Sequence, residues 1–74
     1  PRDAKLRIAF AAALTKLGDA QLADTSVPLA ARIDNASQSY TKAGHIDGKN
    51  TAAKAGLEKI KALQAKSGAP KKRG

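Results

Sequence analysis

Leu29, Ile33, Ala36, Tyr40 and Ala43 follow one another at intervals of four, three, four and three residues, and this spacing constrains the chain more than any other feature. Only an α-helix brings such positions onto one line, and a line this narrow is the seam along which one helix packs against another. The chain is therefore expected to hold at least two helices in contact. Nearer the start, Leu6, Phe10, Leu14 and Leu17 recur at intervals of four, four and three, with Ala13 between them, which again places one stripe on a helix. A third segment, from about Lys49 to Lys66, gathers Ala53, Gly56, Leu57, Ile60 and Leu63 on one face when wound at about 100° per residue. No stretch alternates as a half-buried strand does. The expected fold is all-α, a small three-helix bundle spanning residues 1–66.

Turn chemistry marks where these helices should stop. Asp3 is placed to cap the first. Gly18 suits the left-handed residue that ends a helix, and Asp19 behind it can accept the first amides of the next, so Gly18-Asp19 reads as a tight connection. In Thr25-Ser26-Val27-Pro28, the proline has no amide proton and disfavours helix at Val27, which predicts a kink or break near Pro28. Gly44-His45-Ile46-Asp47-Gly48 reads as a loop, with Asp47 as the cap of the third helix. Residues 67–74, Ser67-Gly68-Ala69-Pro70-Lys71-Lys72-Arg73-Gly74, are basic and rich in breakers, the composition of a disordered tail.

Seventy-four residues allow one domain and sit near the lower limit of what a single core stabilises. The usual supports of a mini-protein are missing, since there is no Cys for a disulfide or a thiolate metal site. Phe10 and Tyr40 are the only aromatics, and Ala fills much of the remaining apolar share. Such a core is thin, so stability must come from close helix packing or from a partner. No apolar run approaches the roughly 20 residues of a membrane span. A chain that begins at Pro1 is expected to have lost a leader or to continue from a longer protein.

Charge is distributed unevenly. Residues 1–48 carry six Lys/Arg against five Asp, whereas residues 49–74 carry Lys49, Lys54, Lys59, Lys61, Lys66, Lys71, Lys72 and Arg73 against Glu58 alone. Nearly all of the net +8 therefore lies in the last third. A one-sided field of this kind repels itself, and it is understood most simply as a surface that meets a polyanion. On the third helix Lys54 and Lys61 lie on one flank of the apolar face, and Lys59 and Lys66 lie on the other. Two lysine columns beside an apolar underside suit a helix that packs inward while touching phosphates to either side. Solvated lysines on an ordinary amphipathic helix are the plainer reading of the same pattern.

The residues offer no reaction. His45 is the only histidine, the carboxylates are mostly isolated, and no catalytic triad, paired acid or metal-ligand set emerges, so neither an enzyme nor a cofactor is expected. Gly44 to Lys49 lacks the spacing of a phosphate-binding loop and follows no strand. With two aromatics the chain is not a base-stacking reader. Contact with a nucleic acid would be made to backbone and shape.

Gly18-Asp19 after an Ala-rich helix, Ile33-Asp34 in the middle segment, Lys42-Ala43-Gly44, Ile46 and Lys49-Asn50-Thr51-Ala52-Ala53 resemble, over nearly the whole chain, the small-subunit ribosomal protein family called S-twenty, of bacterial and organellar type. The resemblance implies a three-helix bundle that binds small-subunit ribosomal RNA, with Lys49, Asn50, Thr51 and Lys54 in the segment that meets it. The sequence departs from that pattern in three places, the first being that the strongly basic N-terminal extension of the family's first helix is absent. Asp47-Gly48 lengthens the loop before Lys49 by one residue, and Lys54-Ala55-Gly56 stands where a dense Arg/Lys run is usual, so RNA contacts there would be sparser.

The function expected from these readings is that of a structural rRNA-binding protein of the small ribosomal subunit, contacting RNA through Lys49, Asn50, Thr51, Lys54, Lys61, Lys66, Lys71, Lys72 and Arg73. Its partners would be ribosomal RNA and other ribosomal proteins. Its setting would be an organellar ribosome, in a mitochondrion or plastid, with a bacterial cytoplasm as the alternative. Two other classes fit the same composition: a helical accessory subunit of an organellar membrane or photosynthetic complex, and a DNA-compacting basic protein.

Overall fold

The four-three spacing of the middle segment is realised as a helix whose inward line is Ile33, Ala36, Tyr40 and Ala43, with Leu29 half-buried at its start. The computed structural model describes residues 2–66 and holds three α-helices, α1 (Arg2–Ala23), α2 (Leu29–Ile46) and α3 (Thr51–Lys66), with no strand among the described residues. The middle helix packs against both others, and α1 touches α3 more lightly. The expected tail, with Lys71, Lys72 and Arg73, lies outside the described residues.

Tyr40 is the one large side chain with no exposed surface. Its ring lies between Gly18 of α1 and Gly56 of α3. A Cβ built at Gly18 would stand 2.8 Å from Tyr40 Cε1, and one at Gly56 would overlap the ring more deeply still. The phenol hydroxyl donates to Asp19 Oδ1. Three helices thus converge on a single ring, and the remainder of the core is Ala11, Ile33, Ala36, Ala43, Ala53 and Ile60. Small residues let helix axes approach closely, which allows a chain with few large apolar groups to enclose the ring.

This arrangement corrects the reading of Gly18-Asp19. The two residues are not a connection, because α1 runs through them to Ala23. Glycine inside a helix costs about 1 kcal/mol relative to alanine. Here the cost is offset by burial of an aromatic ring that no side chain at that position would admit. Asp19 caps nothing and instead accepts a hydrogen bond from the Tyr40 hydroxyl, while Asp3 lies within the first turn of α1.

The apolar stripe assigned to α1 also points elsewhere. Leu6, Phe10 and Leu17 are 66%, 59% and 48% exposed, Ala13 is exposed, and only Leu14 is drawn against the core. The inward line is Ala11, Thr15, Gly18 and Leu22. Bulk decides this, since leucines and a phenylalanine on the inner face would hold α1 too far from α2 for the Tyr40 ring to be enclosed. Residues 3–10 are exposed throughout.

The break near Pro28 is present. After α1, Asp24 Oδ1 accepts the Ser26 amide at 3.0 Å and the Ser26 hydroxyl, and the Val27 amide donates to Asp24 O at 3.1 Å. Arg32 ties this turn down, Nε donating to Val27 O at 2.8 Å and Nη1 to Leu22 O at 3.2 Å. The second of these bonds satisfies a carbonyl that the last turn of α1 leaves without a helical donor. Pro28, extended at φ −55° and ψ 148°, precedes α2 and accepts the Arg32 amide through its carbonyl.

Beyond α2, the expected loop from Gly44 is shorter than it reads. Gly44, His45 and Ile46 remain helical, and the chain turns only at Asp47, whose amide donates to Ala43 O at 2.9 Å. Gly44 weakens the helix without ending it, and Asp47 is the first to leave helical geometry, at φ −136° and ψ 95°.

Candidate nucleic-acid interface

The third helix begins with a polar knot. Asp47 Oδ1 accepts the Lys49 amide at 3.1 Å, and Asp47 O accepts the Asn50 amide at 3.0 Å, closing a turn. Asn50 Oδ1 then accepts the Ala53 amide at 2.9 Å, which makes Asn50 the cap of α3 in place of Asp47. Asp47 lies too far back to reach the first helical amides and shapes the preceding turn instead. The Asn50 Nδ2 group donates to Thr15 Oγ1 at 3.1 Å, and that hydroxyl donates to Ala11 O at 2.9 Å. One asparagine therefore starts α3 and fastens its first turn to α1.

From this fixed point the lysines radiate. Lys49 is exposed in the turn, and Thr51 is exposed as the first residue of α3. Ala53, Gly56 and Ile60 face inward, with Leu57 and Leu63 half-buried beside them. The helical wheel then fixes Lys54 and Lys61 on one flank and Lys59 and Lys66 on the other, and all four are exposed. Lys61 Nζ lies 3.6 Å from Glu58 Oε2, a surface pair of little energetic weight because both side chains are about three-quarters exposed. Lys49, Lys54, Lys59 and Lys66 have no acidic partner among the described residues. The amides of Thr51 and Ala52, which have no acceptor among the described residues, lie at the positive end of the α3 dipole and add to this cationic edge.

Comparison with known proteins adds no relative: no family model, curated protein or solved structure matches the chain. The site is thus characterised by its geometry alone. Lys49, Thr51, Lys54, Lys61 and Lys66, each anticipated from the sequence, share one helix and its leading turn. Asn50 is half-buried and occupied at both ends of its amide, so it holds the turn that presents its neighbours. Lys59, part of the second flank, extends the set. Thr15 and Arg32 position the surrounding elements through hydrogen bonds, and no periodicity or motif singles them out.

Elsewhere the surface is chemically sparse. A shallow groove between the helices is lined by Asp19, Leu22, Leu29, Arg32, Lys59 and Leu63. Its one carboxylate already accepts the Tyr40 hydroxyl's hydrogen bond, and its guanidinium already holds the α1–α2 turn. His45 is exposed in the last turn of α2 and not in a loop. No group of His, Cys, Asp or Glu that could hold a metal occurs among the described residues, and no described helix is long and apolar enough to cross a membrane.

Proposed function

We propose that the chain is a structural RNA-binding protein of the small ribosomal subunit, of the S-twenty type that its Lys49-Asn50-Thr51-Ala52-Ala53 segment resembles, and that α3 is the element laid against ribosomal RNA. The observation that carries this reading is the pair of exposed lysine columns on α3, rising from a rigidly capped first turn and opposed by Glu58 alone. Lysines on a fixed helix present charge at fixed spacing, and a polyanionic backbone is the partner that uses such an array without base contacts. With no aromatic side chain on α3 to stack on bases, the proposed contact is with phosphates, and its role is to hold neighbouring RNA segments together. An organellar ribosome is the proposed setting.

Titration of a labelled ribosomal RNA fragment with the full chain at increasing salt tests the reading. If about five lysines meet phosphates, the log–log slope of affinity against salt should be roughly −3.5 to −4.5. Replacing Lys49, Lys54 and Lys61 with Gln should flatten the slope by about 2 to 3 while leaving helicity unchanged. A slope near zero, or a triple variant that binds as the parent does, overturns it.

A further inference from the structure

The stripe that α1 turns away from the core has a recognisable form. Leu6, Phe10, Ala13 and Leu17 are all exposed, and they recur at four, three and four residues, the alternation of a helix-pairing seam. They occupy a narrow line on the side of α1 away from Thr15 and Gly18. Immediately outside this line stand Arg7, following Leu6, and Lys16, preceding Leu17, both exposed. In paired helices these flanking positions carry the interhelical ion pairs that select the partner.

We propose that this face of α1 is a docking seam for an acidic amphipathic helix on a partner protein. The occupant is argued from charge and shape together. The seam positions ask for leucine-like knobs opposite, and the flanks ask for Asp or Glu, since Arg7 and Lys16 have no acidic partner in the described residues. A second copy of this chain fits poorly. It would bring the same two cations to the seam, with Asp3 the one acid on that side among the described residues, and a further net charge of +8. A lipid surface fits less well than a helix, because interfacial helices gather their apolar residues on one face opposite a charged one, whereas α1 also exposes Ile8 on another side. The three large side chains expose on the order of 300 Å², well below the roughly 800 Å² per partner of a stable interface. Docking is accordingly weak in isolation and is reinforced by other contacts within an assembly. The inference concerns α1 and stands apart from the lysines of α3.

The test uses the full chain and a fluorescent helical heptad peptide with Leu at the seam positions and Glu on both flanks. Two control peptides carry a Leu seam with Lys flanks and a Ser seam with Glu flanks. The Leu-Glu peptide should bind about tenfold or more tightly than either control, a ratio of the size expected for desolvated seam contacts and matched flanks. L6Q/F10Q/L17Q should abolish that advantage with unchanged helicity and unchanged RNA affinity. R7E/K16E, which leaves the apolar line intact, should move the preference to the Lys-flanked peptide. Equal binding of the Ser-seam and Leu-seam peptides to the parent chain overturns the proposal. It is overturned as well if L6Q/F10Q/L17Q dissolves a dimer seen by sedimentation. The same holds if phosphatidylcholine–phosphatidylglycerol vesicles, and not the peptide, show dependence on the seam.

Discussion

Tyr40 is a polar residue buried as though it were apolar, and its surroundings show what that requires. Two glycines clear space for the ring, and one carboxylate receives the hydroxyl, so the phenol has a partner for its proton and none for a negative charge. Burial first, and the Asp19 carboxylate second, push its pKa up to about 12 from the ordinary 10. The neutral phenol is the form that the folded state prefers. This contribution to stability is complete below pH 10 and is lost as the pH rises from 10 to about 12. As the chain holds a single tyrosine, a tyrosinate absorbance titration reads the effect without ambiguity. The midpoint should lie near 12 in the folded protein and near 10 in denaturant, and Asp19→Asn should lower the folded value. Asp24 shows the opposite sense. The Ser26 hydroxyl and amide hold its carboxyl below the usual range, a stabilisation present at neutral pH and lost as the pH falls through that lowered value.

At the scale of the element, glycine separates packing from propensity. Gly44 lies in α2 with nothing within 4 Å of where a Cβ would stand, whereas Gly56 lies in α3 against the face of the Tyr40 ring. Gly44→Ala should stabilise the fold by about 0.5–1 kcal/mol through helix propensity. Gly56→Ala gains the same propensity and meets a buried ring that cannot swing aside, so it should destabilise by about 1–2 kcal/mol net. Opposite shifts of the denaturation midpoint are the expected result. This contrast also explains what the sequence discloses. The helices α2 and α3 are legible, including their inward faces and the break at Pro28, because their apolar residues follow one period and that period is the buried one. The first helix misleads because its largest apolar residues and its buried residues lie on different faces. Size points outward, and the inner face is written in Ala11, Thr15 and Gly18, which carry almost no hydrophobic signal. Gly18-Asp19 has the composition of a turn, and only the ring across from it reveals why the helix continues. The lysine columns are legible because they follow from the period of α3. The cap is not, since Asp47 and Asn50 are both good capping residues and distance to the Ala53 amide decides between them.

For the whole molecule, two surfaces diverge from one small centre. The lysines of α3 form the cationic side, and Leu6, Phe10 and Leu17 of α1 form the apolar one, so neither element is devoted only to holding the other. The three helices meet at a single phenol ring, and there is no second cluster among the described residues to which a helix pair could cling. Detaching α1 or α3 would wet that ring and remove the support for whatever remained. Tyrosine fluorescence and helical circular dichroism should consequently melt at one temperature, and calorimetry should find a van't Hoff enthalpy equal to the measured heat. Such a chain has no half-assembled form to fall back on: it is either whole or a coil.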